Sequence, residues 1–336
     1  MVAVTSPGAG PGTSPGTHPG IPPGATLADV GEFALIEMLT SRFEQGPAVF
    51  LGPGDDAALV RMPKGHVVVS TDLLVENRHF RREWSPAYDI GRRAVAQNLA
   101  DISAMGGSTV ALTIGVAAPP DLPAQWLLDL GQGLADEAAV VGASIVGGDL
   151  TGGDAVAISV TVLGECAAAP VRRGGARPGD IVAVAGRLGW SAAGLAILKR
   201  GFRSPRVLVE AFRRPEPPYA AGPAAAAAGA TAMIDVSDGL VADLGHLCAA
   251  SGVAIDIDTS TLEVAEPMTA VGAALGVDPL GFVLAGGEDH ALAATFPADA
   301  ALPEGFRRIG AVTAGEAVTV DGASFEGAGG HDHFAG

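Results

Sequence analysis

Two adjacent carboxylates, Asp55 and Asp56, sit between a Gly-Pro-Gly turn and the apolar run 57–60. Turn-forming residues followed by an apolar run predict a loop that enters a strand. Adjacent acids repel each other unless a cation or hydrogen-bond donors compensate their charge. A solvated acidic turn would explain this pair if it stood alone. The chain repeats the arrangement, and the repetition favours a chemical role.

The repeated feature is a carboxylate bordered by glycine, serine or threonine, placed at a predicted strand end or on a helix. The further cases are Ser70-Thr71-Asp72, Asp101, Gly147-Gly148-Asp149, and Asp235 with Ser237-Asp238. Each acid singly could be a helix cap or a turn residue, Asp238 in particular. Mg²⁺ takes oxygen ligands, few from protein and the rest from water or phosphate. As a group, these acids therefore favour a cation site. No stretch has the spacing of a calcium-binding loop.

The charge of the chain bears on the kind of substrate. Its 336 residues carry a formal charge of −17, and Lys64 and Lys199 are its lysines. This argues against nucleic-acid binding through a basic surface. If the substrate is a phosphate, metal ions must hold it. The glycine-lysine loop of common nucleotide-binding proteins and the His-Arg-Asp and Asp-Phe-Gly motifs of protein kinases are missing from the sequence.

The composition also indicates a compartment. Cys166 and Cys248 lack metal-site or redox spacing, which favours buried thiols in a reducing environment. The sequence has no apolar run long enough to span a membrane. The first 25 residues are rich in glycine and proline, without the basic and apolar regions of a signal peptide. We therefore expect a disordered extension over 1–26 and a cytoplasmic protein.

Apolar periodicity predicts helices and strands packed as α/β (α+β) layers in two domains, 27–168 and 169–336. In the first domain we expect helices over 29–43, 85–105 and 122–141, and strands over 67–69, 110–116, 144–146 and 155–164. In the second we expect strands over 181–184, 233–236, 253–257 and 281–296, and helices over 191–199 and from 238 to 250. Asn98 and Asp101, one turn apart, share a face of the helix over 85–105.

Some histidines and acids leave two interpretations open. Gly286-Gly287-Glu288-Asp289-His290 is either a substrate contact or a hairpin turn. His79 lies in a charged loop, where a lone histidine is more often structural than catalytic. His331-Asp332-His333 fits either a weak metal tract or a frayed terminus.

Six blocks, taken in order, resemble thiamine-monophosphate kinases over nearly the whole chain from Gly31 to Phe334. They are Gly54-Asp55-Asp56-Ala57-Ala58, Ser70-Thr71-Asp72-Leu73-Leu74-Val75 with His79-Phe80, Asn98-Leu99-Ala100-Asp101-Ile102-Ser103-Ala104-Met105-Gly106, Gly147-Gly148-Asp149, Ile234-Asp235-Val236-Ser237-Asp238-Gly239-Leu240, and Gly286-Gly287-Glu288-Asp289. Any block alone would be weak support, whereas their shared order is specific.

The resemblance implies the two-domain fold shared with aminoimidazole-ribonucleotide synthetase, and a homodimer formed through the N-terminal sheet. It implies ATP-dependent phosphorylation of thiamine monophosphate to thiamine diphosphate with several Mg²⁺ ions, without a covalent nucleophile. The implied metal ligands are Asp56, Ser70, Thr71, Asp72, Asp101, Asp149, Asp235 and Asp238. The implied ATP contacts are Gly148, Asp149, Arg173 and Ser237, and the implied substrate contacts are His79, Glu288 and His331. His331 stands where relatives have an aromatic residue, and His290 stands where many have tyrosine.

Two alternatives remain at this point. The chain could be another ATP-using synthetase of the same fold, of aminoimidazole-ribonucleotide or selenophosphate type. A selenophosphate synthetase would be expected to have a reactive cysteine or selenocysteine and a nearby lysine in its N-terminal glycine-rich segment, and neither occurs here. A non-catalytic metal-binding or regulatory protein is the third possibility, and the intact series of acids argues against it.

Overall fold

The computed structural model describes residues 21–53, 59–63 and 67–325. The N-terminal half consists of α1 (Leu27–Val30), α2 (Glu32–Thr40), β1 (Val49–Leu51), β2 (Leu59–Val60), β3 (Val68–Val75), α3 (Ala87–Ala104), β4 (Gly107–Ala118), α4 (Ala124–Val140), β5 (Ser144–Gly152) and β6 (Ala157–Cys166). Of the predicted extension, residues 1–20 lie outside the described residues. Its last residue, Thr26, caps α1.

The N-terminal half is built on a four-stranded sheet in the order β3-β6-β4-β5, with β4 and β5 parallel and the other neighbours antiparallel. Strand β6 alternates buried and half-buried residues, as expected when one sheet face packs on a core. Its buried residues pack with the apolar faces of α3 and α4. We call the face against α3 the inner face and the opposite one the outer face.

The C-terminal half consists of β7 (Ile181–Ala185), α5 (Trp190–Lys199), α6 (Arg206–Arg213), α7 (Ala221–Ala227), β8 (Ala232–Val236), α8 (Leu240–Ser251), β9 (Ala254–Ile257), a 3₁₀ turn (Thr259–Thr261), α9 (Glu266–Leu275), α10 (Leu280–Ala285), β10 (Ala291–Phe296), β11 (Phe306–Thr313), β12 (Val318–Val320) and β13 (Ala323–Ser324). They form a mixed seven-stranded sheet in the order β13-β12-β9-β11-β7-β10-β8. Strands β7, β8 and β10 are buried along their whole length, because apolar side chains cover both faces of the sheet.

Helix α3 joins the two halves. Ala94 and Val95 pack in the N-terminal core, whereas Ala104 near the end of α3 packs against the C-terminal sheet and α7. Glycine lets α3 approach α4 closely, since a Cβ on Gly91 would overlap the carbonyl oxygen of Leu130. One rigid helix therefore presents side chains to both sheets.

The predicted α/β architecture is confirmed, with one sheet in each half of the chain, and α3 spans nearly the predicted residues. The predicted strand over 281–296 is wrong in its first part, because Leu280–Ala285 form α10 and only Ala291–Phe296 form a strand. A short apolar run does not distinguish a buried strand from a buried helical turn. Ser70-Thr71-Asp72 and Asp149 were expected at strand ends but lie inside strands. Among the described residues, no helix is both long and apolar enough to cross a membrane.

Candidate active site

The inner face brings β3 and α3 together through polar side chains. Ser70 Oγ donates to Asp101 Oδ2 at 2.6 Å. The backbone N–H of Asp72 donates to Asn98 Oδ1 at 3.0 Å, and Gln97 Nε2 donates to Asp72 Oδ2 at 3.1 Å. Each predicted acid on this face is thus oriented by a neighbour on the other element. The face shared by Asn98 and Asp101 is the one that meets β3, as their spacing predicts.

Asp235 approaches the same region from the C-terminal half. It lies on β8, buried, with its Oδ2 3.1 Å from Nδ1 of His290. His290 immediately precedes β10, which pairs with β8 in antiparallel register. The pairing of two strands therefore fixes this carboxylate–imidazole contact. His290 Nε2 is buried and has no hydrogen-bond partner among the described residues.

The direction and causes of the pKa shifts of the acids indicate that they share one environment. Burial raises the pKa of Asp101 to about 7, the negative charges of Asp235 and Asp72 add to the rise, and the Ser70 hydrogen bond opposes it. Burial also raises the pKa of Asp72, while Gln97 and His290 lower it and Asp235 and Glu288 raise it further. The carboxylates are therefore close enough to repel one another. An oxygen-rich group of this kind fits a hard divalent cation, which would relieve the repulsion.

The loop between α10 and β10 carries Glu288 to the same region. A Cβ on Gly287 would overlap the carbonyl oxygen of Ser237, so glycine is needed for this approach. The N–H of Glu288 donates to that carbonyl at 2.8 Å. Glu288 and His290 both have positive φ, at 69° and 52°. Such conformations in residues other than glycine are costly, cluster at functional sites, and persist only where the surroundings hold them.

The two substrate contacts implied by the resemblance, His79 and Glu288, lie near each other. His79 Nδ1 accepts from the N–H of Val75 at 2.9 Å, which ties the histidine to the end of β3. Burial works to raise the pKa of Glu288, but the charges of Arg93, His290 and His79 outweigh burial and leave that pKa below its usual value. Residues far apart in sequence thus form one electrostatic group.

Thr71 and Asp149 are on the outer face, away from this group. Leu73 pairs with Ser159, Ser159 with Gly115, and Gly115 with Asp149, so Leu73 and Asp149 are level across the sheet. Leu73 is exposed on the outer face, and Asp149 is exposed as well. Thr71 Oγ1 lies 2.9 Å from Thr161 Oγ1, on the same face. A single chain therefore does not bring Asp149 to Asp72.

A cavity of about 1000 Å³ adjoins this part of the sheet. Gly148 and Asp149 line it, together with apolar side chains of α2 and α4. Pro53 and Val60, on either side of the Asp55-Asp56 turn, line it as well. Asp56 itself lies outside the described residues, and so does His331. Their roles stay predictions.

The other predicted contacts lie around β8 and α8. Ser237 follows β8 directly and is half-buried, whereas Arg173 is exposed. Asp238 belongs to a separate group with Asp243 and His246, whose potential ligand atoms all lie within 4.8 Å of one another. Asp243 Oδ2 accepts from the N–H groups of Asp238 and Gly239, both at 3.0 Å.

The sequence analysis did not predict the polar contacts that Arg93, Gln97 and Asp243 make in this region. Arg93 and Gln97 lie one turn apart on α3, so the face defined by Asn98 and Asp101 could have drawn attention to Gln97. Arg93 pairs with Glu288, which is 195 positions away in the sequence. A local sequence pattern cannot predict such a contact.

Comparisons with known proteins show which domains and relatives this chain resembles. Residues 54–166 match the AIR synthase related protein, N-terminal domain, and residues 177–322 match the AIR synthase related protein, C-terminal domain. A thiamine-monophosphate kinase of Mycobacterium tuberculosis (strain CDC 1551 / Oshkosh) is 48% identical over 312 residues, which cover 92% of this chain and 93% of the relative.

Solved structures of similar proteins match most of the chain as well. The crystal structure of thiamine-monophosphate kinase from Stenotrophomonas maltophilia K279a has a TM-score of 0.77 and 32% identity, covering 88% of this chain and 98% of the other. A structure of AaThiL complexed with AMPPCP and TMP has a TM-score of 0.73 and 32% identity, covering 90% of this chain and 97% of the other.

Proposed function

The chain belongs to the thiamine-monophosphate kinase family, and we propose that it transfers the terminal phosphoryl group of ATP directly to the phosphate of thiamine monophosphate. The observation that carries the proposal is the convergence of Asp72, Asp101 and Asp235 from three different elements and both halves of the chain. A fold has no reason to collect mutually repelling carboxylates in a buried place unless a ligand compensates them.

The donors around these acids fit Mg²⁺, because they are carboxylate and hydroxyl oxygens contributed by separate elements. We assign cation binding to Asp56, Ser70, Thr71, Asp72, Asp101, Asp149, Asp235 and Asp238. Bound divalent cations would neutralise the phosphate charges and stabilise the oxygens of the transition state. Asn98 and Gln97 hold Asp72 ready for this role through their hydrogen bonds.

The substrates occupy the surroundings of this group. Gly148, Asp149, Arg173 and Ser237 contact ATP, and His79, Glu288 and His331 contact thiamine monophosphate. The acceptor is a phosphate oxygen that is largely ionised near neutrality, so the reaction requires no strong general base. An in-line displacement also requires no enzyme nucleophile. The chain's task is to orient two polyanions, which explains a site made of acids and hydroxyls.

The outer face supports a homodimer as the working unit. Val67, just before β3, is 49% exposed, and Val69 and Leu73 on β3 are each 53% exposed. Exposed apolar residues grouped on a sheet face are typical of an interaction surface. Thr71 and Asp149 lie on the same face but are separated by the strands between them. A second copy, packed face to face, would bring its Asp149 to the Thr71 of this chain.

The direct test is a coupled assay of ADP release with thiamine monophosphate, thiamine and aminoimidazole-ribonucleotide precursors, each with and without Mg²⁺. We expect turnover with thiamine monophosphate and Mg²⁺, and none when either is omitted. Turnover with an aminoimidazole precursor instead would identify a synthetase of the same fold. ATP binding without turnover of any substrate would indicate a regulatory protein.

A further inference from the structure

A buried arginine side chain lies between the two halves of the molecule and next to the proposed substrate site. Arg93 on α3 is 3% exposed, and its Nη2 donates to Glu288 Oε2 at 2.6 Å. We propose that Arg93 is a positioning residue that holds the Glu288 carboxylate against the thiamine part of the substrate. The inference rests on the proposed function, in which Glu288 contacts thiamine monophosphate.

The guanidinium of Arg93 is fixed from more than one side. Its Nη1 donates to the carbonyl oxygen of Phe212 at 3.4 Å, and its Cζ lies 4.8 Å from the centroid of the Phe212 ring. A planar guanidinium held by a hydrogen bond and a ring face has little freedom to rotate. The direction in which it presents Nη2 to Glu288 is therefore set before substrate arrives.

Glu288 is held at its backbone as well as at its side chain. Its φ of 69° and the bond from its N–H to Ser237 set where the side chain leaves the loop. Arg93 then engages Oε2, while the side chain remains 37% exposed. Thiamine carries a positive thiazolium ring and an amino-pyrimidine, and a carboxylate complements both. Arg93 thus orients the group that recognises the organic part of the substrate.

The energetics of this contact argue against a purely structural role. Arg93 Nε is buried and has no hydrogen-bond partner among the described residues. Burying an incompletely bonded charge costs stability, and replacing a whole buried ion pair by apolar side chains of similar volume is often neutral or better. A contact that served only to stabilise the fold would not leave a buried charged group incompletely hydrogen-bonded. The neighbouring Arg92 differs, because it pairs with the buried Glu137 inside the N-terminal half and, in the described part of the chain, contacts neither His79 nor Glu288.

The test uses Arg93→Met, Arg93→Lys and the matched control Arg92→Met in the full-length enzyme. We expect Arg93→Met to raise KM for thiamine monophosphate about tenfold to a hundredfold, in line with the loss seen when a residue that orients a metal ligand is removed. KM for ATP and the melting temperature should stay close to the wild-type values. Arg93→Lys should recover part of the loss, because lysine keeps the charge without the planar geometry. Arg92→Met should lower the melting temperature and leave both KM values unchanged.

A double variant makes the test specific to the pair. If Arg93 acts through Glu288, then Arg93→Met combined with Glu288→Gln should bind thiamine monophosphate no more weakly than Glu288→Gln alone. Additive losses, an unchanged KM for thiamine monophosphate in Arg93→Met, or an equal rise for both substrates would overturn the inference. A wild-type enzyme that fails to phosphorylate thiamine monophosphate would instead refute the proposed function, so the two failures are distinguishable.

Discussion

The inner and outer faces of the four-stranded sheet carry polar groups in very different states. On the inner face, Ser70 and Asp72 are hydrogen-bonded to α3, and Asp235 completes the group from the other half of the chain. On the outer face, Thr71 bonds to its neighbour on β6, and Asp149 lies exposed two strands further on. Consecutive strand residues alternate between faces. Ser70-Thr71-Asp72 therefore contributes side chains to both faces of the sheet. A single chain completes only the polar group on the inner face.

Removing an inner carboxylate should give the largest effect. We expect Asp101→Asn to lower kcat about a hundredfold to a thousandfold, because it removes charge that the proposed transition state depends on. The matched control is Asp129→Asn, an exposed acid of α4 that bonds to Gln125 one turn away. Circular dichroism would confirm that both variants fold. Turnover close to wild type in Asp101→Asn would show that the inner group is not part of the phosphoryl-transfer site.

The outer face can be tested by complementation between copies. Asp149→Asn and Asp101→Asn should each be inactive alone. If Asp149 acts in the partner's site, random exchange of subunits leaves about a quarter of all sites intact, since about half the dimers are mixed and each has one unaltered site. We therefore expect about a quarter of wild-type activity after exchange. Mixing Asp101→Asn with Asp72→Asn should restore nothing, and recovery there or its absence in the first mixture would contradict the composite site.

The smallest effect concerns the pH dependence of the metal-free protein. Burial and neighbouring charges raise the pKa of Asp101 from 3.8 to about 7, so the folded state holds this proton more tightly than the unfolded state. Stability from this group is present at low pH and is lost as pH rises through about 7. Asp243 and Asp289 shift in the same direction, also to about 7.

We accordingly expect the melting temperature without metal to fall as pH rises from about 5 to about 8, and Asp101→Asn to reduce this fall by about 2–4 °C. Mg²⁺ should stabilise the wild type more at the higher pH, because it binds ionised carboxylates. Calorimetry with and without Mg²⁺ measures both effects. A melting temperature that rises over this range in the absence of metal, with the same slope in the variant, would contradict the assignment.

The sequence predicted the elements with strong local signals and missed the features set by distant contacts. Helix α3 follows from its apolar spacing, and the shared face of Asn98 and Asp101 follows from helical geometry. The strand end expected at Asp72 was wrong because β3 continues to Val75, where pairing with β6 decides the boundary. The face on which Asp149 lies depends on the register of β5 with β4, and the sequence of β5 does not specify that register.

Helix α3 touches both sheets, and this limits how the molecule can open. The Arg93–Glu288 pair and the closeness of Asp101 to Asp235 each join α3 to the C-terminal half. A hinge rotation that separates the halves must break both connections in the same movement. Under the proposed function, an opening that releases the product would also separate the acids proposed to bind the cations.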